Sequence, residues 1–151
     1  MAAVCCTREI AQSFETGMEF FNTFGGNPVS CAVGLEVMSQ VENGLMEHCL
    51  RVGTKMLEDL KGLMEKHQCI GDVRGLGLFI GIELVTDRKT KEPATSLAKQ
   101  VCTELLKRKI LISTDGPYNC VLKIKPPLVI SSQDVDYLTS SLDAVLSNLI
   151  Q

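Results

Sequence analysis

The chain has 151 residues, of which 45% are hydrophobic and 22% are charged, a balance typical of a globular domain rather than a disordered segment. Its formal net charge of −3 excludes the basic surface expected of a protein that binds nucleic acid or an anionic membrane. No apolar run reaches the length of a membrane span, and the N-terminus lacks the pattern of a secretory signal. We therefore expect an intracellular protein that binds neither nucleic acid nor membrane.

Seven cysteines are spread along the chain at irregular spacings, without a Cys-X-X-Cys pair. Their odd number argues against a disulfide framework, and the presence of only two histidines, His48 and His67, argues against a zinc site. Most of the cysteines lie in apolar runs, which indicates buried and reduced thiols in an intracellular protein. We expect no metal site.

The N-terminal segment predicts a short strand, a short helix and a loop. Residues 2–6 form an apolar run typical of a buried strand, which needs neighbouring strands that we expect to belong to sequence outside the chain. Thr7 is a suitable N-cap for a helix that ends near Phe14. Residues 13–17 then form a loop.

The stretch from Phe20 to Pro28 has the composition of an anion-binding turn. Gly25 and Gly26 lack a Cβ atom, so the backbone there can adopt positive φ angles and can be approached closely. Thr23 adds a hydroxyl, and Asn27 with the proline after it is a good helix start. Because a glycine turn before a helix presents N–H groups to anions, the stretch is either a phosphate site or an ordinary helix entry.

A long helical pattern begins at Pro28. Apolar residues recur every three or four positions from Cys31 to Leu63, which predicts a single apolar stripe that faces the core. The Asn43-Gly44 step interrupts the pattern, so we expect two helices, over about 28–42 and 44–67. The methionines on the stripe are expected in the core rather than against a cofactor.

Residues 69–85 are rich in glycine and β-branched side chains, which predicts paired strands with a bend near Gly75 or Gly77. The glycine spacing is not the GxGxxG pattern followed by a helix, so a dinucleotide-binding loop is excluded. Arg74 and Glu83 either form an ion pair or simply face solvent, and solvent exposure is the favoured interpretation for both.

The remaining residues predict two helices and two strands. A charged turn over 87–92 precedes a helix that opens at Pro93 and ends at the basic residues 107–109. A strand over 110–113, a turn over 114–117 and a strand over 121–125 follow. Ser131 and Asp134 then begin the final helix with a capping box. Helices mixed with neighbouring strands predict an α+β fold, with helices packed on a small, mostly antiparallel sheet.

Three motifs in this order resemble the C-terminal part of the class III aminotransferases, which depend on pyridoxal phosphate (PLP) and have the type I fold. They are the turn Asn22–Pro28 before a long helix, the segment Val73–Leu84, and the strand end Lys123–Leu128 before a final helix. The resemblance covers essentially the whole chain. It implies that residues 1–27 end the large PLP-binding domain with a dimer-contact phosphate loop, that residues 28–67 form linking helices, and that residues 68–151 form the C-terminal small domain.

Within this family the chain is most similar to the phospho-lyases of ethanolamine phosphate and 5-phosphohydroxy-lysine. The similarity lies in Gly17–Thr23, Ser30–Leu35 and above all Ser113–Pro117. It implies an enzyme that eliminates phosphate and ammonia from a phosphorylated amine. The alternative within the same fold is amino transfer to pyruvate or glyoxylate, as in the alanine–glyoxylate aminotransferases.

The resemblance also implies roles for two residues. The position of Thr23 contacts the PLP phosphate of the neighbouring subunit, which implies a homo-oligomer, either a dimer or a dimer of dimers. The position of Lys123 holds an arginine in many members of the family, where it clamps the substrate carboxylate. A lysine is a point charge without the arginine fork, so Lys123 either binds a phosphate-bearing substrate or merely points outward from its strand.

No lysine of this chain matches the family's Schiff-base lysine. The resemblance places that lysine upstream of the position of Met1, together with the aspartate that holds the PLP ring. We therefore expect no catalytic residue in this chain and no activity from the chain alone. It is either a fragment of a longer enzyme or a non-catalytic truncated product that binds the full-length subunit. The family favours a mitochondrial over a cytosolic location.

Overall fold

The computed structural model describes residues 2–150. Their elements are α1 (Arg8–Phe14), α2 (Pro28–Gln40), a kinked connection (Val41–Leu45), α3 (Met46–Lys66), β1 (Ile70–Leu76), β2 (Phe79–Asp87), β3 (Glu92–Pro93), α4 (Thr95–Lys107), β4 (Ser113–Asp115), β5 (Val121–Ile124) and α5 (Ser132–Leu149). The chain divides into two compact units, Met1–Gly44 and Leu45–Gln151. The predicted domain division after residues 27 and 67 stays a prediction.

The N-terminal unit consists of α1, α2 and the segments that flank them, and neither helix has a buried residue. The predicted strand over residues 2–6 is wrong, because these residues adopt an irregular, exposed conformation. A strand needs a partner backbone for its N–H and C=O groups, and residues 2–44 contain no other strand that could supply one. The predicted helix after Thr7 is confirmed, although the Thr7 side chain makes no capping hydrogen bond.

The break between α2 and α3 is confirmed at Asn43 and Gly44, where the backbone leaves helical geometry and Gly44 has a φ of 106°. The apolar stripe differs in burial between the two helices. Met56 on α3 is fully buried, whereas Leu35 and Met38 on α2 are more than half exposed. The predicted core position is therefore wrong for α2, since no element of its own unit covers that helix.

The C-terminal unit is built on one antiparallel sheet with the strand order β1-β2-β5-β4, and the short β3 pairs with β2. The β1–β2 hairpin turns at Gly77, whose φ is 54°, as the glycine pattern predicted. Helices α3 and α4 pack against the sheet, and α5 packs against both of these helices. The predicted α+β fold with a mostly antiparallel sheet is confirmed.

The two faces of this sheet differ in chemistry because side chains alternate along each strand. The inner face and the helices form the apolar core, to which the strands contribute Ile70, Val73, Ile80, Ile82, Leu84, Leu122 and Ile124. The outer face carries charged and exposed side chains, among them Arg74, Phe79, Glu83 and Lys123. The cleft that contains Lys123, described below, lies on this outer face.

Two predicted boundaries are wrong by a few residues. The strand predicted over 110–113 is found at Ser113–Asp115, because only these residues pair with β5. Lys109 adopts a positive φ of 62° and the N–H of Ile110 donates to the carbonyl of Leu105, so the chain is still closing the end of α4 there. Helix α4 begins at Thr95 rather than at proline 93, which belongs to β3.

The start of α5 is confirmed as a capping box. The Asp134 N–H donates to Ser131 Oγ over 3.2 Å, and the Ser131 N–H donates to Asp134 Oδ2 over 3.1 Å. These two bonds satisfy backbone donors that the first helical turn leaves without a partner. None of the helices within residues 2–150 is both long and apolar enough to cross a lipid bilayer.

All seven cysteines are free, but the prediction that most are buried is wrong. Only Cys120 is buried, whereas Cys5 and Cys6 are exposed and the other four are half-buried. Burial raises the pKa of the Cys69 and Cys102 thiols, which favours their neutral form.

Candidate functional site

The turn that contains Thr23 is organised by the side chain of Asn22. Its Oδ1 atom accepts hydrogen bonds from the backbone N–H groups of Phe24 and Gly25, each over 3.1 Å. The N–H of Gly25 also donates to the Asn22 carbonyl. Two N–H groups that the sequence offered to an anion are therefore already occupied. Asn22 was missed in the sequence, although asparagine before a glycine pair is a common organiser of turns.

The N-terminus of α2 is likewise capped from within the chain. Asn27 Oδ1 accepts from the N–H of Val29 over 3.0 Å and from the N–H of Ser30 over 3.2 Å. This confirms Asn27 as the N-cap before a proline at the first helical position. It also means that the first turn of α2 has few donors left for an anion.

Thr23 itself is exposed, and its hydroxyl makes no hydrogen bond to another residue of the 2–150 range. The backbone beside it is open, since a Cβ atom added at Gly26 would meet nothing within 4 Å. The turn fits a phosphate group through the Thr23 hydroxyl, which is free to donate. It fits less well through the backbone N–H groups, because Asn22 and Asn27 hold four of them.

Lys123 lies on β5 and forms an ion pair with Asp115 at the end of β4. Its Nζ atom donates to Asp115 Oδ2 over 2.7 Å. The other carboxylate oxygen, Oδ1, accepts from the N–H of Gly116 over 2.8 Å. These bonds to Lys123 and Gly116 hold the pKa of the Asp115 carboxyl below its usual range. Lys123 therefore does not simply point into solvent, and Asp115 was not foreseen as its partner.

The side chains of Arg74 and Lys123 flank a glycine on the outer face of the sheet. Arg74 is paired with Gly81 across β1 and β2, and Gly81 is paired with Lys123 across β2 and β5. Gly81 has no side chain, so it leaves a gap between the two cations. A cleft of about 600 Å³ opens here and is lined by residues that include Arg74, Leu76, Phe79, Gly81, Asp115 and Lys123.

Arg74 is also bound by carboxylates of its own chain. Its Nη1 atom lies 2.6 Å from Asp72 Oδ2 and 2.6 Å from Glu83 Oε2. The favoured interpretation that Arg74 and Glu83 each face solvent is wrong, and the ion pair that was the alternative is present. With Lys123 and Asp115, the face carries two cations that are paired with three carboxylates, and Lys125 adds a third ammonium, 5.7 Å from the ring centroid of Phe79. Arg74 and Lys123 are thus both paired within the chain.

Thr23 belongs to the N-terminal unit and Lys123 to the C-terminal unit. Among residues 2–150, no group of three or more histidine, cysteine, aspartate or glutamate side chains is arranged to hold a metal ion. The N-terminal unit therefore offers an exposed hydroxyl at Thr23, and the C-terminal unit separately offers a cleft of paired charges.

Comparison with known proteins gives one family. The sequence pattern described as aminotransferase class-III matches residues 1–146. The ethanolamine-phosphate phospho-lyase homolog 1 of Caenorhabditis elegans is 44% identical over 97% of this chain and 32% of its own length. The alanine–glyoxylate aminotransferase 2-like protein of Drosophila melanogaster is 45% identical over 90% of this chain and 28% of its own. The mitochondrial alanine–glyoxylate aminotransferase 2 homolog 2 of Arabidopsis thaliana is 41% identical over 99% of this chain and 31% of its own length.

Solved structures show the same fold. A phospholyase from Arthrobacter in complex with phosphoethanolamine is 36% identical and superposes with a TM-score of 0.83, over 93% of this chain and 34% of that chain. A Bacillus anthracis aminotransferase is 38% identical and superposes with a TM-score of 0.80, over 93% of this chain and 34% of that chain. The chain spans about a third of the length of the curated relatives that it matches.

Proposed function

The chain belongs to the class-III aminotransferases, which depend on pyridoxal phosphate, and on this premise we propose that it forms part of a phospho-lyase. The proposed reaction converts a phosphorylated amine and one water into phosphate, ammonia and an aldehyde: phosphate leaves by elimination, and water hydrolyses the resulting enamine. Ethanolamine phosphate and 5-phosphohydroxy-lysine are the proposed substrates. The C. elegans relative, named as a phospho-lyase homolog, and the Arthrobacter phospholyase with phosphoethanolamine support this choice.

One observation on this chain carries the proposal over transamination of an α-amino acid. At the position where many members of the family have an arginine, this chain has Lys123. Its single ammonium is already paired with Asp115 over 2.7 Å. Recognition of a planar carboxylate is best served by the five donors of an arginine fork, which a lysine lacks. The proposed amines carry no carboxylate on the carbon that bears the reacting amine. We place Lys123 beside the substrate as a binding residue in the wall of the pocket.

Thr23 is the proposed contact of this chain with the cofactor. Bound pyridoxal phosphate withdraws electron density from the amine-bearing carbon, which eases loss of a proton there and departure of phosphate from the next carbon. The Thr23 hydroxyl is exposed. In the proposed homodimer it would donate to the cofactor phosphate of a neighbouring subunit. Asn22 holds the turn in shape by binding the N–H groups of Phe24 and Gly25.

The experiment that tests the function is a substrate comparison on the full-length protein loaded with pyridoxal phosphate. Phosphate release is measured with ethanolamine phosphate and with 5-phosphohydroxy-lysine, and amino transfer is measured with pyruvate and with glyoxylate as acceptors. We expect phosphate release from one of the two phospho-amines and little amino transfer. Amino transfer without phosphate release would refute the lyase and establish the transaminase.

Transamination is the second candidate because of the Drosophila and Arabidopsis relatives, which are named as alanine–glyoxylate aminotransferases. The same assay decides between the two reactions. We also propose that the activity belongs to a longer protein, since the chain covers 28–32% of these relatives. An endogenous protein with an intact mass about three times the 16.5 kDa of this chain would support that proposal. A mitochondrial location is proposed from the name of the Arabidopsis relative.

A further inference from the structure

The Asp115 carboxylate is held in a defined position by two different parts of the β4–β5 hairpin. Gly116 donates its N–H to Oδ1, and Lys123 donates to Oδ2. Gly116 has a positive φ of 83°, so the turn brings its N–H back onto the side chain of the residue before it. Because the Gly116 N–H already holds one carboxylate oxygen, the Asp115 side chain loses little further freedom when it pairs with the Lys123 ammonium. The ion pair is therefore a built feature of the turn rather than a chance contact of two flexible side chains.

The geometry makes this pair a substitute for a bound anion. A ligand carboxylate that entered the cleft would need to displace Asp115 from Lys123 or to bind beside it. The second cation of the cleft offers no alternative, because Arg74 contacts Asp72 and Glu83 over 2.6 Å each. The Asp115 carboxylate is more than half exposed, so its charge also repels an approaching anion directly.

We propose that Asp115 is a specificity-determining residue, whose carboxylate occupies Lys123 and thereby rejects substrates that carry a carboxylate on the amine-bearing carbon. This inference rests on the proposed function, because that function places Lys123 beside the substrate. It names the class of amine that the pocket accepts, which is a phosphorylated amine with no carboxylate at the reacting end. It also assigns selectivity to repulsion by a residue of the chain rather than to an added contact.

Two ligands that differ by a single group make the test sharp. O-phospho-L-serine is ethanolamine phosphate with a carboxylate on the amine-bearing carbon. Binding of both is measured on their phosphonate analogues, in which a methylene group replaces the ester oxygen so that no phosphate can leave. The measurement is calorimetry on the full-length protein loaded with pyridoxal phosphate, for the wild type and for Asp115→Asn. Asparagine keeps the shape and one oxygen for the Gly116 N–H but removes the charge. Asp115→Ser is a second variant, and thermal unfolding shows which variants fold.

We expect Asp115→Asn to bind O-phospho-L-serine about tenfold more tightly than the wild type, because Lys123 becomes available to a charged acceptor. Binding of ethanolamine phosphate should tighten by a smaller factor, because loss of the Asp115 charge relieves repulsion of its phosphate but its amine-bearing carbon carries no carboxylate for Lys123. Adding Lys123→Gln should remove the gain, since the two substitutions act on one interaction. Glu104→Gln is the matched control. It removes an equal charge from an exposed pair with Lys107 on α4, outside the cleft.

A variant without charge at 115 that binds O-phospho-L-serine no better than the wild type would overturn the inference. A gain that survives Lys123→Gln would overturn it as well. The proposed function fails by a different result, which is the absence of phosphate release from both phospho-amines by the wild type. The calorimetric comparison decides the role of Asp115 in either case, because it does not depend on turnover.

Discussion

Helix α3 passes over the β1–β2 turn with a glycine at the crossing, and replacing that glycine tests the packing of the C-terminal unit. Gly53 is buried, and a Cβ atom added there would lie 2.8 Å from the Cα of Gly77 and closer still to its carbonyl group. Ordinary van der Waals contact begins at 3.4 Å. Both partners are backbone, so no side chain can rotate to make room.

The expected magnitude for Gly53→Ala follows from two opposing effects. Overpacking at a site that cannot relax costs about 3 kcal/mol, the upper part of the usual range, because the helix or the turn has to shift. Alanine in place of a helical glycine returns about 1 kcal/mol. The free energy of unfolding should therefore fall by about 2 kcal/mol.

Gly62→Ala is the matched control on the same helix. Gly62 is exposed, and a Cβ atom there would meet nothing within 4 Å. Only the helix-propensity gain applies, so we expect this variant to be about 0.5–1 kcal/mol more stable than the wild type. Urea unfolding followed by circular dichroism measures both. A Gly53→Ala variant as stable as Gly62→Ala would refute the close packing of α3 on the turn.

Three further substitutions test other parts of the molecule. Arg88→Met should lower the free energy of unfolding by about 2 kcal/mol in the same urea assay, because the guanidinium binds the backbone carbonyls of Met64, His67 and Ile70. An unchanged urea midpoint would contradict a stabilising role for these three bonds. Bonds to Lys66 and His67, 2.6 Å each, lower the pKa of Asp143, so its contribution to stability is present above about pH 4 and is lost as the pH falls through the folded-state pKa. Asp143→Asn should accordingly be less stable than the wild type at pH 7, with a difference that shrinks as the pH falls below about 4, and parallel pH–stability curves would disprove the linkage. Thr23→Ala should weaken binding of pyridoxal phosphate to the full-length protein by about tenfold or more, whereas Thr23→Ser should retain it; equal affinities, measured by fluorescence titration, would remove Thr23 from the site.

Local sequence signals predicted most elements of the fold. The break at Asn43-Gly44, the capping box of Ser131 and Asp134, and the hairpin turn at Gly77 were all foreseen. Each depends on residues within a few positions, whose backbone preferences are the same in any fold. The strand over 2–6 and the core position of α2 were wrong, because burial and pairing depend on what lies opposite.

The candidate site shows the same division. Residue type and spacing placed Thr23 in a glycine turn and Lys123 on an alternating strand, and the resemblance to the class III aminotransferases marked both as candidate site residues. The binding of the turn N–H groups by Asn22 is local, two and three residues along the chain, and the sequence analysis missed it. Only the tertiary structure decided the pairing of Lys123 with Asp115, because it depends on the β4–β5 register. Charged partners on neighbouring strands meet only when the hydrogen-bond register aligns them, and a one-residue slip would turn Lys123 to the other face.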